Sequence, residues 1–134
     1  MKTLNYNKYG FAAKKAALIS GNPIESWKIA VKDFASESSK TKPCPKNTFL
    51  GLCEAGFVKG IKSGSYFKRK KPNLNKKYAV KAVELLTSNS KLSKKELWEL
   101  VREELSLGNK RSNSQMDVVL ALWEHGFIEL NISK

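Results

Sequence analysis

Apolar residues recur along this chain at intervals of three and four, and clusters of Gly, Pro, Asn and Ser cut them into six periodic segments. The first, from about Tyr9 to Ser20, is alanine-rich and stops before Gly21, Asn22 and Pro23. The second opens with Asn22 as its N-cap, Pro23 at the first helical position and Glu25 in the first turn. Its Trp27, Ala30, Val31 and Phe34 then follow the i, i+3, i+4, i+7 rule of an amphipathic helix. A polar, lysine-bearing loop, SESSKTKP, leads to the third, from about Pro45 to Ala55, with Phe49, Leu52 and Cys53 on one face. Gly56 ends it as a glycine C-terminal to a helix does.

The second half repeats this order. NLNKKYAVKAVELLTS lines up with NYNKYGFAAKKAALIS, with one residue of slippage near the tyrosines, and predicts a fourth helix from about Asn75 to Ser88. SKKELWELVREEL begins with a capping box, Ser93 with Glu96, and puts Trp98 where the first half has Trp27. NSQMDVVLALWEHG carries Met116, Val119, Leu120 and Trp123 at helical spacing and closes on Gly126. The ends of the third and sixth segments are nearly the same nine residues: LGLCEAGFV from Leu50 to Val58 and LALWEHGFI from Leu120 to Ile128. A three-helix unit is therefore written twice, over residues 1–71 and 72–134, and the two copies are expected to form one integrated domain.

After Gly56 comes FVKGIKSGSYFKRKK, which reads as a strand, a KSGS turn and a second strand carrying Tyr66 and Phe67. Three helices followed by a hairpin is the winged-helix order, in which the third helix enters the major groove and the wing lies along the backbone. The expected fold is thus mainly α, two copies of a winged-helix-like three-helix unit, the first with a β-hairpin wing. The second copy ends in FIELNISK, enough for one strand. The alternative is another duplicated helical packing, since the spacer between the second and third helices is longer than the tight turn of a helix-turn-helix.

Charge sharpens this picture. The 134-residue chain carries 25 basic and 12 acidic side chains, a net charge of +13. Residues 1–71 hold 15 basic against 4 acidic, and residues 72–134 hold 10 against 8. The excess concentrates in SSKTKPCPKN and KGIKSGSYFKRKK, the two places where a winged helix touches phosphate. Polyanions are bound through phosphate neutralisation and counterion release, so cations belong where the backbone will lie. Lys40, Lys42, Lys46, Lys62, Lys68, Arg69, Lys70 and Lys71 are the expected phosphate contacts. Asn47 and Thr48 are expected to approach the groove, and Tyr66, with Phe67 beside it, offers a flat surface for stacking. The plain alternative is a solvated surface and a basic linker.

Other chemistry finds little support. Cys44, as a cap, and Cys53 would stand about 180° apart and roughly 13 Å along one helix, too far for a disulfide. Neither has a partner at metal-ligand spacing. Cys53 reads as a core residue; Cys44 reads as a cap, or as a thiol activated by the helix N-terminus. The lone His125 sits at a helix end, and Glu54 and Glu124, equivalent in the two copies, read as exposed positions before the glycine caps. No nucleophile motif or phosphate-cradling glycine loop occurs, so neither catalysis nor a cofactor or metal is expected. In RSNSQMD, Asn113 and Gln115 are amides of the kind that read adenine edges. Capping boxes, Ser112 with Gln115 or Ser114 with Asp117, are the favoured explanation.

The strings CPKNTFLGLCEAGFVKGI, NKKYAVKAVELL and NSQMDVVLALW resemble a family of uncharacterised bacterial proteins. The resemblance implies bacterial, cytoplasmic origin and no established activity. With no apolar run near membrane-spanning length and no secretory signal in MKTLNYNKYGF, a cytoplasmic location is expected. The function expected is a non-enzymatic nucleic-acid-binding module, DNA before RNA, whose second copy buttresses the first or forms a homodimer. The other reading is an adaptor domain that docks its basic half on an acidic protein partner.

Overall fold

The structure, a computed structural model, describes residues 6–67 and 73–130. Among these, seven helical segments account for the ordered backbone: α1 (Lys8–Ile19), α2 (Pro23–Val31), the one-turn α3 (Glu37–Lys40), α4 (Pro43–Glu54), α5 (Leu74–Ser88), α6 (Lys94–Glu104) and α7 (Gln115–Glu124). The protein is mainly α, and among the described residues the only β pairing is one isolated bridge.

Most helix starts are where the polar residues put them. Asn22 Oδ1 accepts from the N–H groups of Ile24 and Glu25, with Pro23 at the first position, and Asn73 does the same for Asn75 and Lys76. Ser93 and Glu96 close a reciprocal capping box at α6. The start of α4 is a correction: Pro43, not Pro45, opens the helix, and Lys42 occupies the cap position without a side-chain bond. Cys44 is therefore inside the first turn, half-buried, rather than the cap. The loop before it also contains α3, whose cap is Ser36 accepting from the Ser39 N–H.

The helices interlock across the repeat. The first helix of each half packs on the third helix of the other, α1 on α7 and α5 on α4, and α4 touches α7 at the centre. One hydrophobic cluster runs through both halves. Trp27 stacks on Phe49 at 5.4 Å between centroids, while Trp98 meets Tyr78 edge-on at 5.7 Å. The alanines of α1, Ala12, Ala13, Ala16 and Ala17, are all buried and let the α7 backbone come close. Gly51 does the same on α4: a Cβ there would lie 2.5 Å from Lys76 Cβ and 2.6 Å from Lys76 Cα. Trp123, in the place of fully buried Cys53, is half-buried at the margin of the core.

The repeated nonapeptide now has a structural reason. In both copies the helix ends on a glycine with positive φ, 82° at Gly56 and 77° at Gly126. In both, the next N–H bonds back across the turn, Phe57 to Leu52 O at 3.0 Å and Phe127 to Leu122 O at 2.8 Å. The two exits then pair with each other. Val58 and Ile128 form an antiparallel bridge, closed by Lys59 N–H to Phe127 O at 2.8 Å and Glu129 N–H to Phe57 O at 2.7 Å.

The expected wing is not seen among the described residues. The segment after Gly56 takes its hydrogen bonds from the other half rather than from residues 65–67, and among the described residues no hairpin forms. Tyr66 instead donates its N–H to Glu54 Oε2 at 2.8 Å and its hydroxyl to the carbonyl of Lys62. The three-helix, winged-helix-like unit is likewise not separate, because α1 leans on α7 of the other half.

Candidate nucleic-acid interface

Lys40, Lys42, Lys46 and Asn47 come together at one corner, where α3 ends and α4 begins. All four are partly exposed. The ring of Tyr9, from the start of α1, anchors this corner: its hydroxyl donates to Ser39 O at 3.0 Å, which ties α1 to the α3 turn. Burial raises the Tyr9 hydroxyl pKa, keeping it a neutral donor. Lys42 Nζ lies 5.4 Å from the Tyr9 ring centroid and Lys8 Nζ lies 5.5 Å from it. Lys8 also sits 4.9 Å from the ring of Phe34, which packs edge-on against Tyr9. Two ammonium groups thus share one aromatic platform. Lys40 is held by Glu37 at 3.2 Å, an exposed pair that is weak in water.

Lys8 is a member that sequence reasoning missed. Its position in the first turn of α1 says nothing about α4, and only the Tyr9 contact brings the two together. Thr48 leaves the set as a correction: it is fully buried, and its hydroxyl donates to Cys44 O at 2.7 Å within its own helix. Lys62 and Tyr66 stand at the opposite end of α4, near Glu54. Glu54 lies eight residues, about 12 Å, along the helix from Lys46. Lys68, Arg69, Lys70 and Lys71 lie outside the described residues.

Glu54 is also corrected from an idle surface carboxylate. Lys76 Nζ lies 2.7 Å from its Oε1, with the Glu54 side chain only 17% exposed. Burial alone would raise its pKa; the Lys76 hydrogen bond and charge and the Tyr66 N–H outweigh that and hold it below the ordinary value. The equivalent end of α7 is built differently. There His125 Nε2 and the Tyr6 hydroxyl are 2.6 Å apart, and burial, with help from the Glu124 charge, raises the Tyr6 pKa.

The polar run before α7 makes no capping box. Ser114 takes a left-handed conformation, φ 70°, with no side-chain bond to the helix. Gln115 and Asp117 are buried and turn to the neighbouring helices instead. Gln115 Nε2 donates to Asn75 Oδ1 at 3.1 Å, and its Oε1 accepts from the Asn113 N–H. Asp117 Oδ1 accepts from the Asn7 N–H and from Lys94 Nζ, both at 2.9 Å. Asn7 caps α1 and Asn75 lies in the first turn of α5, so the start of each of these helices is anchored by a buried polar side chain of the first turn of α7. Neither Gln115 nor Asp117 is available to read a base.

A family of unknown function (DUF6979) has a model that matches residues 6–129. The chain belongs to this family. The match begins at Tyr6, which bonds to His125, and ends at Glu129, whose N–H closes the Val58–Ile128 bridge. Both halves and the pairing that joins them are thus one DUF6979 unit. No curated protein and no solved structure matches the chain. Among the described residues no cluster of His, Cys, Asp and Glu is arranged to hold a metal ion, and no helix is long and apolar enough to cross a membrane. Cys53 is fully enclosed, and burial pushes its thiol pKa up, so it is a core residue.

Proposed function

We propose that this protein is a non-enzymatic nucleic-acid-binding module, with DNA as the favoured partner, that neutralises backbone phosphates with the corner formed by α1, α3 and α4. The observation that carries this reading is the placing of Lys8 and Lys42 over the one Tyr9 ring, at the corner where Lys40 ends α3 and Lys46 stands in the first turn of α4. These cations come from two distant stretches of chain. Tyr9 holds Lys8 and Lys42 over one ring, with Asn47 beside Lys46 as a neutral hydrogen-bonding group. The net charge of +13 adds a field that draws polyanions to the surface. The helix-turn-helix element of the reading is reduced to the N-terminal turn of α4, and no hairpin among the described residues takes part in it.

Fluorescence anisotropy with a 20-nucleotide DNA, single-stranded and duplex, and with the matching RNA tests the proposal. Binding should weaken steeply with salt, the logarithm of affinity falling by roughly 0.7 to 0.9 per phosphate contact for each tenfold rise in salt. A flat titration with all probes at low ionic strength would overturn it. Binding of an acidic peptide with the same affinity and salt dependence would favour an adaptor that docks on an acidic protein.

A further inference from the structure

A second cationic site lies in the other half of the molecule. α6 and the loop from 109 to 114 enclose a groove of about 700 Å³. Lys94, Lys95 and Arg102 line one wall, Asn109, Lys110 and Arg111 the other. Glu99 and Asp117 also line it, but Asp117 is already occupied by Lys94 and by the Asn7 N–H. The walls are fixed to each other. Trp98 Nε1 donates to Lys110 O at 3.0 Å, and Arg102 Nη1 donates to Gly108 O at 3.3 Å. The Arg102 Nε is buried with no hydrogen-bond partner among the described residues. That atom is closed off from solvent, so an anion in the groove would meet the exposed cationic side chains of its walls.

This groove shares features with the α3–α4 corner. In each half, an aromatic side chain hydrogen-bonds the backbone that leads into the third helix: Tyr9 to Ser39 O, Trp98 to Lys110 O. In each, a lysine of that segment lies over the tyrosine of the α1-type helix, Lys42 over Tyr9 and Lys110 over Tyr78 at 5.9 Å. The two sites also adjoin. Asn7, next to Lys8, donates its side-chain amide to Ser114 Oγ at 3.1 Å, and Ser114 lines the groove. Two related cationic sites joined through the start of α1 suit a ligand that presents anions repeatedly along its length.

We infer that the groove between α6 and the loop before α7 is a second phosphate-binding site, and that one nucleic-acid strand runs from the α3–α4 corner past the start of α1 into it. This rests on the nucleic-acid reading above and extends it to residues of the second half. Among the described residues Lys95, Lys110 and Arg111 form no ion pair, Lys110 lying over the Tyr78 ring, whereas Lys94 is paired with Asp117 and Arg102 is tied to Gly108.

The test uses the full chain and a 20-nucleotide oligothymidine in anisotropy titrations from 50 to 200 mM salt. The variant Lys95→Ser/Lys110→Ser/Arg111→Ser removes three exposed charges and leaves the Lys110 carbonyl in place. Its affinity at 50 mM should fall at least about tenfold, and its salt slope should fall by about 2, three contacts at roughly 0.7 each. Lys42→Ser/Lys46→Ser, at the other end of the track, should lower the slope in the same way. Wild-type affinity and slope in the triple variant would overturn the groove while leaving the nucleic-acid reading intact. No binding by the wild-type chain would overturn both. Should the triple variant fail to melt cooperatively, Lys95→Ser and Lys110→Ser singly, each reducing the slope by about 0.7, decide the point.

Discussion

Gly51 marks a close approach between the two halves, and Gly51→Ala measures how tightly they interlock. A methyl group at this position would lie 2.5 Å from Lys76 Cβ and 2.6 Å from Lys76 Cα, where ordinary contact begins near 3.4 Å. The obstacle includes backbone, so no rotamer change relieves it; α4 and α5 must separate by about 0.8 Å. Overpacking of this kind costs about 1–3 kcal/mol. The same substitution in an unobstructed helix interior would stabilise by about 1 kcal/mol, because alanine is the better helix former. Near the upper end of that range the net cost is about 2 kcal/mol, some 6–10 °C in Tm for a domain of this size. Separation would also pull Lys76 Nζ from Glu54, three residues along the same helix. Thermal melts and urea unfolding of Gly51→Ala and of Ala121→Gly provide the comparison. Ala121→Gly should lose about 1 kcal/mol through helix propensity and a small cavity. A Gly51→Ala protein that melts above wild type would show that α4 and α5 are not in contact as described.

Trp27→Ala removes a side chain that is 1% exposed and stacked on Phe49, and should cost about 3–5 kcal/mol by urea denaturation. Trp98→Phe keeps most of the packing but loses the bond to Lys110 O; a loss of about 1 kcal/mol is expected, with faster amide exchange in residues 105–114. Glu54 has a folded-state pKa below its unfolded value, so the stability it adds is complete above the ordinary carboxylate range and is lost as pH falls through the folded value. Glu54→Gln should therefore destabilise the protein by about 1 kcal/mol at pH 7 and flatten the fall in Tm below about pH 4, measured by pH-resolved melts. An unchanged acid slope would show that the Lys76 pairing does not persist in solution.

Much of the helix order was legible because it is written in local signals. Asn22 with Pro23, Ser93 with Glu96, and the glycines at 56 and 126 each act within one turn of chain, and each stands where its chemistry requires. The duplication was legible too, since five of nine columns match between Leu50–Val58 and Leu120–Ile128. What escaped was everything decided across the repeat. Phe57 and Val58 look like the start of a hairpin because a strand's partner is not recorded in its own sequence; among the described residues Val58 pairs instead with Ile128, in the similar exit of the other half. Gln115 and Asp117 look like caps because polar residues at a helix start usually are; here burial beneath Asn75 and Asn7 turns them outward from their own helix. Lys8 and the α6–α7 groove were invisible for the same reason, as their members are gathered by α1 packing on α7 and by Trp98 reaching Lys110.

The most direct measurement is a nuclear magnetic resonance titration of the ¹⁵N-labelled chain with oligothymidine at low salt, following every backbone amide. Progressive shifts at residues 8, 40–47 and 109–113, with the α2 and α5 surfaces unmoved, are the result expected for a strand bound along the corner and the groove. Contradiction would come from an unperturbed spectrum at saturating oligonucleotide, or from shifts confined to surfaces remote from both sites.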